Sequence, residues 1–178
     1  MSIAADRNAS YDRGDTKNEV WGDGDSAGKH EVGVAGELAI VGLYRGLGAE
    51  IDTSVSASGD GGVDCEMEID GEMRTVDIKS STYNEDNASL MVAQDHVEAR
   101  NIIPDVYISC YVSEDLTDVV VRGMVMSDDL FVEDNLAEPK AHYIDGLNYD
   151  VSVDELDPMP EPETDSMVEG NDYRVVRS

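Results

Sequence analysis

Asp64, Asp77 and Lys79 are the residues whose types and spacing bear most directly on chemistry. Asp70-Gly71 lies between the two aspartates and favours a two-residue hairpin, because a type I′ turn needs positive φ at both central positions. With that turn, Ile69 faces Glu72 and Cys65 faces Val76; one step further sets Asp64 opposite Asp77. Directly opposed residues share a sheet face with Cβ atoms about 5 Å apart. Alternation puts Lys79 on that same face, while Val63, Cys65, Met67, Ile69, Val76 and Ile78 turn toward a core. Two unit charges so close repel by roughly 3 kcal/mol at an effective dielectric of about 20. A shared proton or a bound divalent cation relieves that repulsion. Hard oxygen donors favour Mg2+ or Mn2+ over zinc. Lys79 adds a compact positive charge, and it is one of only four lysines in the chain, with Lys17, Lys29 and Lys140.

The elements that must position these groups are legible from periodicity. Val32, Ala35, Ala39, Leu43 and Leu47 recur at helical spacing, and Gly48 supplies a stop, so a helix is predicted over Val32–Ala49. Its only charged residues are Glu37 and Arg45, which makes it a core helix. Glu37 is then either an edge residue reaching solvent or a buried functional carboxylate that adds a third oxygen ligand. Strands are predicted over Ile51–Ser58, Val63–Ile69 and Glu72–Ser80, then a short strand at Leu90–Ala93 and a short helix through Arg100. Asp105–Val112 and Asp118–Met126 are rich in β-branched residues and read as strong strands. Ser127 is placed to cap a helical turn, and Asn148–Met159 reads as a short strand or an ordered return. Positions 1–17 are expected to be a mobile segment, 18–159 one domain, and 160–178 an acidic tail containing Pro and Glu.

Composition bounds the setting. The chain has 178 residues, with 12 Lys and Arg against 40 Asp and Glu, for a formal net charge of -28. Such a charge destabilises a compact state by self-repulsion, which molar salt screens once the Debye length falls to about 3 Å. The acids are spread along the chain, so the expectation is a protein of a salt-loaded cytoplasm, from a halophilic archaeal host or its virus. A nucleic-acid mimic or a binder of basic partners is the rival explanation. No apolar run is long enough to cross a bilayer, and Met1–Asp15 lacks the apolar core of a signal peptide. Cys65 and Cys110 sit in apolar strand contexts without a C-x-x-C, and His30, His96 and His142 have no zinc-helix spacing. Trp21–Gly28 resembles part of a calcium loop through Asp23 and Asp25, but Ala27 and Val34 fall where later ligands belong.

Gly62-Val63-Asp64 on one strand and Asp77-Ile78-Lys79 on the next, after a helix bearing Glu37, resemble the PD-(D/E)XK nuclease superfamily, particularly small phage and archaeal-virus types. The similarity spans roughly Lys29 to Met159. It departs from the pattern at Val63, where proline is usual, and no Q-x-x-x-Y follows Lys79. The resemblance implies an α/β fold with a restriction-endonuclease-like core, a central mixed β-sheet flanked by helices. It implies that Asp64, Asp77 and Glu37 bind Mg2+ or Mn2+ and that Lys79 orients the attacking water. The implied activity is phosphodiester hydrolysis of nucleic acid, DNA rather than RNA. Assembly as a homodimer would help an acidic chain by combining weak contacts. Two alternatives stand beside it. One is a nuclease fold without catalysis, used for nucleic-acid or protein binding. The other is an unrelated acidic protein in which Lys79 merely pairs with surface acids. Its marks would be Asp64 and Asp77 on opposite strand faces, or Glu37 far from both.

Overall fold

The computed structural model describes residues 26–55, 62–139 and 146–160. The expectations for the segment 1–17, for Asp23 and Asp25, and for the tail beyond 160 lie outside those residues.

A long helix, α1 (Ser26–Gly46), opens the described chain. It begins six residues before the apolar periodicity does, since Ser26 to Glu31 carry no Pro to stop it. Gly48 ends it with φ 95°, while the Ala49 amide donates to the Tyr44 carbonyl and the Gly48 amide to that of Arg45. This closing pair of bonds satisfies carbonyls that a helix end otherwise leaves open. Among the described residues, no helix is long and apolar enough to cross a membrane.

Five strands of two to ten residues then build a mixed sheet. Its members are β1 (Ile51–Asp52), β2 (Cys65–Ile69), β3 (Glu72–Ser81), β5 (Val106–Val112) and β6 (Val119–Met126), in the order β1-β2-β3-β5-β6. All neighbours are antiparallel except β3 and β5, which run parallel. The β2–β3 hairpin turns at Asp70 and Gly71, both at positive φ (53° and 76°), in the predicted register from Ile69↔Glu72 to Cys65↔Val76. A parallel neighbour needs a crossover connection. It is supplied by β4 (Ser89–Ala93) and a short helix, α2 (Gln94–Ala99).

Two cores lie on the two faces of this sheet. On one, Ile40 and Tyr44 of α1 pack on Cys65, Met67, Val76, Ile78 and Ile108. On the other, Tyr107 and Val125 pack with Leu90, Val92, Leu130 and Val151. Periodicity alone did not anticipate what covers that second face. β4 joins β8 (Asn148–Ser152) and β7 (Leu136–Ala137) in a separate antiparallel sheet, ordered β4-β8-β7. The return after β8 reaches the outer side of β6, where Asp157 and Met124 exchange backbone hydrogen bonds of 2.8 and 2.9 Å. Three local expectations are corrected. The first strand is only two residues long. Ser127 does not cap the short helix α3 (Ser127–Leu130): Met126 occupies that position, and the Ser127 hydroxyl donates to the Pro104 carbonyl. The third is Asp64, which lies beyond the last ladder pair, Cys65↔Val76.

Gly36 sets how closely α1 approaches the sheet. A Cβ there would meet Ser80 Oγ at 2.0 Å and Cys110 Sγ at 2.8 Å. Helix propensity alone favours Gly36→Ala by about 1 kcal/mol. Overpacking of this kind costs about 1–3 kcal/mol. Gly36→Ala is therefore expected to lower the urea midpoint, although the same change in an exposed helix would raise it.

Candidate functional site

The site forms where β2 starts and β3 passes it. Asp77 alternates with the core residues Val76 and Ile78, so it lies on the face away from α1, beside its parallel partner Tyr107. That face is covered too, and Asp77 is 3% exposed. A buried carboxylate needs partners, and Asp77 has two cations. Lys79 Nζ lies 2.6 Å from Oδ1, and the Arg100 guanidinium donates to Oδ2 at 2.9 Å. Arg100 also donates to the Tyr107 hydroxyl at 3.1 Å, and Lys79 Nζ stands 5.9 Å from the centre of the Tyr107 ring. Burial disfavours the charged guanidinium, but Asp77 and Tyr107 outweigh that effect and the net shift of Arg100 is upward. Gly62, at φ 68°, makes room for this arginine: a Cβ there would meet its Cζ and Nε at 2.7 Å.

Asp64 corrects the register drawn from the turn. The ladder ends at Cys65↔Val76, so Asp64 and Asp77 are not a ladder pair. Instead the Asp64 amide donates to the Val76 carbonyl, and its carboxylate Oδ2 accepts from the Ile78 amide, each at 2.8 Å. Asp64 thus sits at the mouth of the hairpin, where β2 is leaving the ladder and its side chain replaces a backbone acceptor. The two carboxylates are still close enough to feel each other. Burial, then Asp77, then Glu37 push the Asp64 carboxyl up to about 7, against the Ile78 amide and Lys79.

Glu37 enters as charge. It is half-buried on α1, one residue past the Gly36 contact, and its field raises Asp64 as well as the Cys65 thiol, which burial chiefly pushes up to about 12. Among the described residues no group of three His, Cys, Asp or Glu side chains converges as a metal cage. The structure therefore brings Asp64, Asp77 and Lys79 together and sets Glu37 near Asp64, without joining all three acids in one ligand set. Two carboxylates nonetheless suit Mg2+, which is commonly held by one or two carboxylates plus water and substrate phosphate. Burial raises Asp64 most, and such an ion would relieve the part due to the neighbouring charges of Asp77 and Glu37. The arrangement fits a divalent ion at Asp64 and Asp77, in exchange for part of the hold that Arg100 and Lys79 have on Asp77.

A cavity of about 450 Å³ opens beside Lys79 and Arg100. Its walls include Ser80, Ser81 and Thr82 at the end of β3, Ser89–Ala93 of β4, and His96 of α2. The sequence marked Arg100 as the end of a short helix, and it gave Tyr107 no role. Neither is tied to the aspartates by local spacing. The strand VYISCYV carries two aromatic hydroxyls, Tyr107 and Tyr111, with nothing in the spacing to single out Tyr107.

Comparisons with family models, with curated proteins and with solved structures found no match for this chain. The class defined by its own coordinates is an α/β protein with a five-stranded mixed sheet, helices, and a charged site at the hairpin mouth.

Proposed function

We propose that the protein is a divalent-metal-dependent nuclease of the PD-(D/E)XK type, with a restriction-endonuclease-like core, acting on DNA in a high-salt cytoplasm. The observation that carries this is the juxtaposition of Asp64, Asp77 and Lys79 at one hairpin mouth, with Asp77 buried and salt-bridged to Lys79. The element order also supports it: a helix, an antiparallel hairpin bearing both aspartates, and a crossover to a strand parallel to β3.

A bound Mg2+ or Mn2+ would neutralise phosphate oxygens and lower the pKa of its water. The residues of the chain do the rest. Asp64 and Asp77 would hold the ion, and the bond from the Ile78 amide fixes the orientation of Asp64. Lys79 keeps its ammonium at the Asp77 carboxylate, a third exposed, where it is placed to hold the attacking water or to stabilise charge on the phosphoryl oxygens. Water oxygen bonds to phosphorus, the bond to the leaving oxygen breaks, and the proton lost by water is balanced by one gained at that oxygen. Arg100, drawn off Asp77, would be left facing the phosphate.

The net charge of -28 opposes approach of a polyanion, and the release of counterions from cationic contacts is small for a chain with 12 basic residues. Molar salt screens that repulsion, and an ion held at the carboxylates supplies local attraction. The experiment is cleavage of linear and circular DNA, and of RNA, in molar KCl. With Mg2+ or Mn2+, DNA cleavage is expected and EDTA abolishes it. Nucleic-acid binding that persists in Asp77→Ala, with no cleavage by the wild type under any of these conditions, would replace the nuclease with a binding protein on the same fold.

A further inference from the structure

The cavity beside Lys79 is exceptional for this chain. Among the described residues no Asp or Glu lines it, in a protein with 40 acids, whereas His96 does, and so do Lys79 and Arg100, both paired to Asp77. Five hydroxyl side chains join them, Ser80, Ser81, Thr82, Ser89 and Ser109. Val32 and Leu90 to Ala93 supply the apolar part of the lining. A volume of about 450 Å³ is in the range of small-molecule sites and exceeds what one phosphate group fills. The complement to these walls is an amphipathic anion, charged at one end and flat or apolar at the other.

We infer that this cavity binds a single nucleotide. Its phosphate lies against Lys79, His96 and Arg100, and its base lies along the β4 wall at Met91. The choice of a nucleotide among amphipathic anions rests on the nuclease reading; the anionic character rests on the cavity alone. Because the pocket adjoins Lys79, a nucleotide seated there is the one next to the bond that is cut. A pocket of this size admits an unpaired or terminal nucleotide and excludes a stacked base pair. The substrate class is therefore a strand end or an unpaired nucleotide, with the interior of a duplex a poor substrate.

Binding is measured by calorimetry on the full chain in molar KCl with EDTA, using dAMP, deoxyadenosine and inorganic phosphate as separate titrants. dAMP is expected to bind at least about tenfold more tightly than either fragment, a difference of about 1.4 kcal/mol. His96→Ala removes an imidazole hydrogen-bonding group from the phosphate end, and Met91→Trp fills the apolar end; each is expected to weaken dAMP at least about fivefold with the thermal unfolding transition retained. If dAMP binds no better than phosphate, or if both folded variants bind it as the wild type does, the assignment is wrong. The nuclease reading is scored apart from this, by DNA cleavage with Mn2+. Tight dAMP binding without cleavage upholds the pocket and sinks catalysis, and cleavage without dAMP binding sinks the pocket alone.

Discussion

Asp77→Asn is expected to lower the unfolding free energy of the metal-free protein by about 3 kcal/mol, whereas Asp64→Asn is expected to raise it above pH 7. The two aspartates belong to one site, yet their environments are opposite. Asp77 is buried between Lys79 and Arg100, and removing its charge leaves two cations facing an amide. Asp64 accepts the Ile78 amide, a bond that an asparagine side-chain oxygen still accepts, and its charge is opposed by burial, by Asp77 and by Glu37. The pH dependence follows from the direction of its shift. The carboxyl titrates near 7 in the folded chain against an ordinary value of 3.8. Between these values the folded state holds a proton that the unfolded state has released, so Asp64 withdraws stability as pH rises through that window. Above about 7 the loss is complete. Asp64→Asn should thus exceed the wild type at pH 8 and match it below the ordinary carboxylate range. Urea unfolding across that pH series checks both signs. A destabilising effect of Asp64→Asn at pH 8 in EDTA would show that the Asp64 carboxylate is stabilised in the site, and would remove the basis for a cation there.

Lys79→Ala is expected to reduce DNA cleavage by about 10²–10³-fold, the usual effect of removing one preorganised group that stabilises transition-state charge. Its effect on folding should be small by comparison. Asp77 keeps Arg100 as a partner, and the Lys79 side chain is already 34% exposed. Lys79→Arg should not restore full activity, because a planar fork replaces a compact ammonium. Single-turnover cleavage, with circular dichroism to verify the fold, separates the chemical loss from any structural one. Cleavage at the wild-type rate in Lys79→Ala would exclude the role given to this lysine.

How much of this was legible without coordinates differs from residue to residue. Asp70 and Gly71 fixed the hairpin because positive φ at both positions leaves few alternatives, and the register held for all five pairs from Ile69 to Cys65. It failed at the next step. A turn sets register only as far as the ladder runs, and Asp64 lies beyond it, where its side chain takes the Ile78 amide. The core beneath α1 followed from alternation and helical spacing. The second sheet did not, since short strands such as β4 and β8 carry no mark of which partner they choose. Arg100 was beyond reach for the same reason. Its place on Asp77 is set by the crossover through β4 and α2 and by the space that Gly62 leaves open.

The claim on which the rest depends is that a divalent ion binds at Asp64 and Asp77. Anomalous diffraction from crystals soaked in millimolar Mn2+ tests it directly. The expected result is a manganese peak in contact with both carboxylates, with the Arg100 guanidinium moved off Asp77. No peak at that position, with Arg100 and Lys79 still closed on Asp77, would contradict it.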